Sequence, residues 1–379
     1  MFYSEAGLMR IAKRVNNTKR TYLLVNPLQA KHIPVSPSKA LDMMGCLGDK
    51  LVKKYPDTRL VIGFAETATA AGAAVASCFP HDCVYLPTTR EDIPGVTDWV
   101  LFSEEHSHAT EQKLCGEHLA GWIADTPSVI FVDDEISTGK TLLNMIRKLQ
   151  EQYPQLKAKK LAAASLLNRV SPEHERLLLE AGVNCEYLVK ATGSGPEQAV
   201  EGIQASEAPP VKAVDHAYAH RQLDCPPLPN PREGIWIQSY LQDCEQMAQE
   251  ILSQAGLALK GIDNIVVLGT EECMYPALIL GKRLEEKGYQ VKCHATTRSP
   301  IGICRAPGYP ITNGNKLRSF YAEDRSTYLY NLEPCGALVV VSDTPKPDLA
   351  AFNDLVTAWT PHEYGKAFYV QGGRNVWYL

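Results

Sequence analysis

One arrangement of residues occurs twice in this chain. An apolar run ending in glycine, with an acidic residue close behind it, stands at Arg59–Glu66 and again at Ile265–Glu272. Two threonines and an arginine follow each run at a similar distance, as Thr88–Arg90 and Thr296–Arg298. This agreement in order and spacing predicts a duplicated fold. The alternative is that two unrelated α/β units share the same order of strand, glycine and helix.

The chain is too long for one ordinary core. It has 379 residues, and cores usually stop growing well before that length. Four prolines crowd into Cys225–Pro231, which is typical of a semi-rigid linker. We therefore expect a first domain at 1–220, a linker at 221–235 and a second domain at 236–379, the second a degenerate repeat of the first.

Short apolar runs alternate with helical patterns in the first half, which predicts a mostly parallel sheet with crossover helices. The predicted strands are Thr21–Val25, Arg59–Ile62, Cys83–Leu86, Val129–Val132 and Lys160–Leu166. The predicted helices are Ser38–Lys54, Thr67–Cys78, Lys140–Tyr153 and Pro172–Glu180. Between them, Pro87–Asp125 has the length of a lid or binding loop, with a helix near Thr110–Ile123. After the linker, a helix at Gln238–Ala255 and a strand at Ile265–Leu268 resume the alternation.

Composition excludes several classes of protein. Apolar residues make up 45% and charged residues 21%, which is typical of a globular chain and not of a disordered one. A net charge of −5 gives no basic footprint for nucleic acid or an anionic membrane. No apolar run approaches the ~20 residues of a membrane span. The 11 cysteines show no CxxC spacing, so we expect reduced thiols in a cytoplasmic protein.

The segment Val129–Thr141 carries the clearest chemistry. An apolar strand ends in two acids, and a loop of small residues then opens a helix. The loop N–H groups, the positive helix end and the hydroxyl groups suit a monophosphate, and Gly139 lets the backbone approach it. The predicted phosphate-binding residues are Ser137, Thr138, Gly139, Lys140 and Thr141.

The two acids have a different task. Asp133 and Asp134 would repel a phosphate, so they suit neighbouring hydroxyl groups or Mg²⁺, directly or through water. A ribose that carries a 5′-phosphate fits both parts of the motif. The segment ends like a Walker A loop, but that motif needs a glycine where Asp134 stands, which argues against an NTPase.

The stretch Val129–Thr141 closely resembles the phosphoribosyl-pyrophosphate signature of the type I phosphoribosyltransferases. The resemblance implies a Rossmann-like sheet, a mobile loop, a small hood and Mg²⁺-assisted transfer of ribose 5-phosphate to a nitrogen, with release of pyrophosphate. It implies that Asp133 and Asp134 bind the 2′- and 3′-hydroxyl groups of the ribose. It also matches Gly63–Thr69 to the pyrophosphate loop and Pro87–Leu114 to the flexible loop.

The whole chain resembles the two-domain phosphoribosyltransferases of tellurium-resistance gene clusters. Their second domain, the TRSP domain, is named for a motif that stands here at Thr297–Pro300. The segments Asn26–Pro34 and Glu104–His108 also look like that group. The acceptor implied is base-like: a purine, a pyrimidine or a less familiar nitrogen compound.

Several side chains are candidates for the reaction itself. Arg90, with Glu66 and Thr67, is predicted to clamp the leaving pyrophosphate. His106 and His108 would move a proton at the acceptor nitrogen, or else lie on a solvated lid; their spacing alone is weak evidence for zinc. Lys31 would contact a substrate, the alternative being an exposed basic residue.

The second domain has lost the donor loop. Its strand end Val339–Pro347 keeps one acid, and its prolines remove N–H donors. Hydroxyl and guanidinium groups nevertheless suit an anion there. The anion-binding candidates are Thr297, Arg298, Ser299 and Arg305. The domain either binds a phosphorylated or acidic ligand or serves as a structural lid and dimer surface.

Two other functions use the same residues. A non-catalytic sensor of phosphoribosyl pyrophosphate would keep the same motif, although we expect such a sensor to carry a DNA-binding module or a basic face. The reverse reaction, pyrophosphorolysis of a nucleotide, would use the same site. A homodimer is compatible with any of these functions.

Overall fold

The computed structural model describes residues 3–15, 17, 20–80, 82–102, 112–193, 195–255, 259–359 and 361–379. Contacts divide the chain into two compact units. The first unit comprises Met1–Glu5, Asp42–Thr192 and Pro229–Leu241. The second comprises Ala6–Leu41, Gly193–Leu228 and Gln242–Leu379. The units therefore interleave along the chain, whereas the domain boundaries proposed from the sequence are consecutive.

The regular elements of the described residues are numbered in chain order. The α-helices are α1 Glu5–Leu8, α2 Pro37–Lys54, α3 Thr69–Ser77, α4 Leu119–Asp125, α5 Lys140–Gln152, α6 Pro172–Glu180, α7 Pro196–Ala199, α8 Ile237–Ala255, α9 Tyr275–Glu286 and α10 Leu349–Ala358. The strands are β1 Arg10–Lys13, β2 Tyr22–Val25, β3 Leu60–Gly63, β4 Val84–Pro87, β5 Trp99–Phe102, β6 Gln112–Cys115, β7 Ser128–Ile136, β8 Lys160–Asn168, β9 Val183–Lys190, β10 Ala219–Gln222, β11 Ile235–Trp236, β12 Asn264–Gly269, β13 Gln290–Ala295, β14 Gly314–Arg318, β15 Ser326–Tyr330, β16 Cys335–Ser342, β17 Pro361–Gln371 and β18 Asn375–Tyr378.

The first unit is built on a six-stranded sheet with the order β11-β4-β3-β7-β8-β9. Strands β4, β3, β7, β8 and β9 are parallel, and only the short β11 runs the other way. The connection α3 leads from β3 outward to β4, and α5 leads from β7 outward to β8. The predicted parallel sheet is thus confirmed, with a switch in direction between β3 and β7.

Close packing buries the strand that leads to this switch point. All four residues of β3 are buried, and the small residues of α3 let that helix lie directly against the sheet. A Cβ on Gly72 would lie 3.0 Å from the Gly63 Cα atom, so glycine is needed where the helix meets the strand. Helix α5 buries one face, including Leu142, Met145 and Ile146. Each such side chain contributes about 1.5–3 kcal/mol on burial.

The second unit has a six-stranded sheet with the order β10-β18-β17-β16-β12-β13. Strands β17, β16, β12 and β13 are parallel, with β12-α9-β13 on one side and β16-α10-β17 on the other, and β18 runs antiparallel to β17. A two-stranded hairpin, β14-β15, stands between β13 and β16, as β5-β6 stands between β4 and β7. The two units therefore repeat one topology, which confirms the duplication predicted from the sequence.

Three local predictions were wrong or incomplete, and the proline-rich segment makes specific contacts. The strand near Thr21–Val25 exists as β2, but it pairs antiparallel with β1 in the second unit instead of joining the parallel sheet. The helix predicted near Thr110–Ile123 is replaced at its start by β6, and α4 follows it. The segment 87–125 is therefore partly regular structure. The proline-rich segment is held to the second unit by the bonds Leu223 N–H to Arg374 O and Leu228 N–H to Gly372 O.

Two other findings concern the chain as a whole. The 11 cysteines are all unpaired thiols, as expected. In the part of the chain that the structure describes, no helix combines the length and the apolar character needed to cross a bilayer.

Candidate functional site

The carboxyl ends of β3 and β7 form the candidate site of the first unit. Connections leave these neighbouring parallel strands in opposite directions, and such a switch point opens a crevice in which ligands bind. Gly63 pairs with Val132, so the residues that follow both strands emerge side by side. The segment after Gly63 and the acids after Val132 therefore face one crevice.

A direct hydrogen bond joins the two strand ends. The Thr67 hydroxyl donates to Asp134 Oδ1 over 2.7 Å. The Asp134 N–H in turn donates to Asp133 Oδ1 over 2.9 Å. Both aspartates lie on β7, which extends to Ile136, beyond the Val132 end predicted from the sequence. The structure thus brings together three of the predicted site residues: Thr67, Asp133 and Asp134.

Crowding of carboxylates gives Asp133 unusual acid–base behaviour. Burial, followed by the neighbouring charge of Asp134, raises the pKa of the Asp133 carboxyl well above its usual range. The side chain keeps part of its solvent exposure, so a ligand can reach it. A cation at this position would offset the charge of Asp134 and favour the ionised carboxylate, and a hydroxyl donor would hydrogen-bond to that carboxylate. The acids therefore fit either Mg²⁺ or a sugar diol.

The predicted phosphate-binding segment is a tight turn into a helix. Helix α5 begins at Lys140, so Lys140 and Thr141 are already helical and the turn proper is Ser137–Gly139. Gly139 has a φ of 73°, and a Cβ there would lie 2.9 Å from Leu178 Cδ1. The Lys140 N–H makes a long contact of 3.4 Å with the Thr138 hydroxyl. Gly139 stands at the N-cap and has no side chain to cap the helix. Its first N–H groups have no acceptor within the helix and carry its positive dipole end, which suits a phosphate.

Two residues that sequence reasoning missed hold the segment after β3. The Ala65 N–H donates to Thr88 Oγ1 over 2.9 Å, and the Thr88 hydroxyl donates to Gln112 Oε1 over 2.8 Å. The Gln112 amide then donates to Ala65 O over 3.2 Å. Ala65 and Glu66 are joined by a cis peptide bond. Thr88 could have been found from its position as a polar residue directly after the buried strand β4. No local feature of the sequence indicated a role for Gln112.

The remaining first-domain candidates fall in different places. Glu66 is half-buried beside Thr67, and Arg90 is half-buried after β4. His106 and His108 lie outside the described residues. Lys31 is fully buried in the second unit, where its ammonium donates to the carbonyl oxygens of Glu271 and Thr296 over 2.7 and 2.8 Å. The alternative that Lys31 is exposed was therefore wrong.

The second unit places its anion candidates unevenly. Arg298 is held by carboxylates, 2.6 Å from Glu271 and 3.0 Å from Glu272. Thr297 is buried, and its hydroxyl accepts from the Ser299 N–H over 3.2 Å. Arg305 is exposed. The four candidates do not form one open anion site.

A structural metal cage is not visible in either unit. Within the described ranges, no group of three or more His, Cys, Asp and Glu side chains is arranged to hold a metal ion. The two histidines considered for zinc lie outside those ranges. Asp133 and Asp134 remain the pair whose chemistry fits a divalent cation.

Family models match both halves of the chain. Residues 8–194 match a family described as "Phosphoribosyl transferase". Residues 236–358 match a second family, described as "TRSP domain C terminus to PRTase_2". No curated protein sequence matches the chain. The two matched families are the same pair that the motifs resembled.

Solved structures of phosphoribosyltransferases are similar to about half of the chain. An adenine phosphoribosyltransferase from Giardia lamblia, complexed with 9-deazaadenine, has 17% identity and a TM-score of 0.36, covering 50% of this chain and 96% of its own. An orotate phosphoribosyltransferase from Mycobacterium tuberculosis has 14% identity and a TM-score of 0.31, covering 48% and 89%. An adenine phosphoribosyltransferase from Trypanosoma brucei has 15% identity and a TM-score of 0.33, covering 48% and 76%. At these values the likeness carries no inference about substrate.

Proposed function

We infer the function from the family: this chain belongs to the phosphoribosyltransferase family that carries a C-terminal TRSP domain, and is therefore a glycosyltransferase-class enzyme. We propose that it transfers ribose 5-phosphate from phosphoribosyl pyrophosphate to a nitrogen of a base-like acceptor. One observation carries the proposal. The Thr67–Asp134 hydrogen bond links the two strand ends at the switch point, shortly before a helix start that has a glycine at its N-cap. This arrangement supports anion, diol and cation sites that would follow one another along one crevice.

The donor would lie across this crevice. Its 5′-phosphate is proposed to accept hydrogen bonds from the residues of the Ser137–Thr141 turn and helix start. Its 2′- and 3′-hydroxyl groups would donate to Asp133 and Asp134. The segment Glu66–Thr67 and the guanidinium of Arg90 would contact the pyrophosphate at the other end. Arg90 suits this task because a guanidinium binds phosphate oxygens with two parallel donors.

Mg²⁺ is proposed to bind with the donor. Hard oxygen ligands suit this ion, which usually keeps several waters and bridges carboxylates to phosphate oxygens. When bound, it would neutralise charge on the leaving pyrophosphate. The raised pKa of Asp133 fits this requirement, since a neighbouring cation favours the ionised carboxylate.

The reaction exchanges one bond to ribose C1 for another. The bond from C1 to the pyrophosphate oxygen breaks with its electron pair, and the acceptor nitrogen forms the new bond and releases a proton. Positive charge develops on the ribose and negative charge on the leaving group, so fixed charges and positioning supply the catalysis. His106 and His108 are proposed to take the proton, and their loop to exclude water.

The cellular setting is also a proposal. The resemblance of Asn26–Pro34 and Thr297–Pro300 to the two-domain group supports a nucleotide-like product made in the cytoplasm in connection with tellurium resistance. Unpaired cysteines throughout are compatible with a reducing compartment.

A pyrophosphate-release assay tests the activity. The intact chain would be incubated with phosphoribosyl pyrophosphate, Mg²⁺ and a panel of purine, pyrimidine and other nitrogenous acceptors. We expect release that depends on one acceptor class and falls at least 100-fold in Asp134→Asn. Asp125→Asn, at the end of helix α4 that precedes the amino end of β7, is the matched control and should leave release unchanged. Tight donor binding without release by any acceptor would instead support the sensor, and release unaffected by Asp134→Asn would refute the assigned role.

A further inference from the structure

The second unit reproduces the site of the first unit in hydrogen-bond detail. The Ala65 N–H donates to Thr88 Oγ1 over 2.9 Å, and the Glu271 N–H donates to Thr296 Oγ1 over the same distance. Position 271 therefore corresponds to position 65. The first unit has a methyl group at this point, and the second has a side chain that ends in a carboxylate.

The hairpins correspond as well. The backbone of Thr89 pairs with Lys113 on β6, and the backbone of Thr297 pairs with Tyr328 on β15. The turn between β14 and β15 is thus the counterpart of the segment between β5 and β6, which falls within the predicted flexible loop Pro87–Leu114. Residues of the β14-β15 turn, including Ser319 and Arg325, are described by the structure and fold onto the strand end.

Three donors converge on the Glu271 carboxylate, which is completely buried. Its Oε2 atom lies 2.6 Å from Arg298 Nε and 3.0 Å from a terminal nitrogen of Arg325. The Ser319 hydroxyl donates to its Oε1 atom. Two guanidinium groups and a hydroxyl are the donor set with which proteins bind phosphate oxygens. Here they surround a carboxylate that belongs to the chain.

We propose that the strand end of the second unit is an anion site permanently filled by the side chain of Glu271. The carboxylate stands where an anionic ligand would sit, and the hairpin turn closes over it as a lid closes over a substrate. The native second unit therefore takes no donor or pyrophosphate. Removal of this carboxylate opens a site for a small polyvalent anion, because the side chains of Arg298 and Arg325, which are 12% and 24% exposed, lose the carboxylate that they share, although Arg298 keeps its contact with Glu272.

Glu271→Gly is the variant best suited to the test. Glu271 has a φ of 48°, in the left-handed region that glycine adopts without strain, so the substitution removes the carboxylate without distorting the turn. The control is Asp354→Asn, which breaks a buried carboxylate–arginine pair elsewhere in the same unit. Its partner Arg318 is half exposed, so water can solvate the charge that is left.

Titration calorimetry with inorganic pyrophosphate gives the primary measurement. We expect Glu271→Gly to bind one more pyrophosphate per chain than the native protein, and Asp354→Asn to bind the same number as the native protein. Saturating pyrophosphate should also raise the Tm of Glu271→Gly by about 5 °C more than that of the native chain. The increment of one is expected whether or not the first unit binds pyrophosphate, so failure of the proposed function leaves this test intact.

Three results would overturn the proposal. The first is an unchanged number of sites in folded Glu271→Gly, and the second is an equal gain in Asp354→Asn. The third needs no variant: two pyrophosphate molecules bound per native chain would show that the second site is open. If Glu271→Gly does not fold, Glu271→Ala also removes the carboxylate and vacates its space. Its Tm should then rise more with pyrophosphate than the native Tm, and an equal rise would contradict the proposal.

Discussion

Gln112 should act as a positioning residue for the pyrophosphate end of the site. Its side chain is 5% exposed and bonds both Thr88 Oγ1 and Ala65 O, the groups that fix the start of the segment ahead of Thr67. In Gln112→Ala the buried Thr88 hydroxyl loses the oxygen to which it donates, and the half-buried Ala65 carbonyl loses the amide that donates to it. An unsatisfied buried group costs about 1–3 kcal/mol, so we expect the free energy of unfolding to fall by about that amount. Movement of the same segment should raise KM for the donor by about 10- to 100-fold.

Denaturant unfolding and initial rates of pyrophosphate release measure the two effects separately. Gln112→Glu is the informative companion variant, because its carboxylate can still accept from Thr88 but, when ionised, cannot donate to Ala65 O. Protonation restores that donor, so donor KM in Gln112→Glu should improve relative to the native enzyme as the pH is lowered. A Gln112→Ala enzyme that loses stability but keeps its native donor KM would refute the positioning role.

Three further substitutions have clear expected outcomes. Asp133→Asn should stabilise the chain at pH 7. The pKa of the Asp133 carboxyl is higher in the folded chain than its value of about 3.9 in the unfolded chain, so ionisation of Asp133 destabilises the native protein as the pH rises between these two values. The gain should vanish below the unfolded pKa in pH-dependent unfolding; a gain that persists there would contradict the assignment. Gly139→Ala should lower the free energy of unfolding by about 1–2 kcal/mol and weaken donor binding measured by calorimetry, because the added Cβ meets Leu178 and the residue has a φ of 73°. Gly121→Ala in α4, where the added Cβ meets open space, should change neither quantity. Lys31→Met should cost about 3 kcal/mol in thermal unfolding through two lost buried hydrogen bonds, with donor affinity unchanged; a selective loss of affinity would restore its predicted substrate role.

Local patterns in the sequence were sufficient for the centre of the site. The acids Asp133 and Asp134 and the turn at Gly139 are contiguous, and their strand and helix are long enough to show clear periodicity. The boundaries were less accurate: the apolar run ends at Val132, but pairing with β8 continues the strand to Ile136. Neighbouring strands decide where a strand ends, and their register is not a local property.

Contacts between distant segments account for what was missed. Gln112 reaches Ala65 only because β6 folds back as a hairpin strand, and Lys31 is buried because it meets residues some 240 positions away. An exposed basic residue is the ordinary expectation for a lysine in a loop. The misplaced strand β2 has a different cause, since its partner β1 stands shortly before it in a segment with no apolar alternation.

The sequence predicted the duplicated fold but not the difference between the two strand ends. Matching threonines and arginines predicted related units, and both sheets confirm it. The opposite environments of position 65 and position 271 emerged only from the structure. An alanine and a glutamate at equivalent positions carry no obvious meaning until Arg298 and Arg325 are seen to converge on the carboxylate.

Calorimetric titration of the intact chain with phosphoribosyl pyrophosphate and Mg²⁺ measures binding of the donor at this site. We expect one bound donor per chain, lost in Asp134→Asn and retained in Asp125→Asn. Absence of binding by the native chain, or binding that is equally strong without the Asp134 carboxylate, would contradict this expectation.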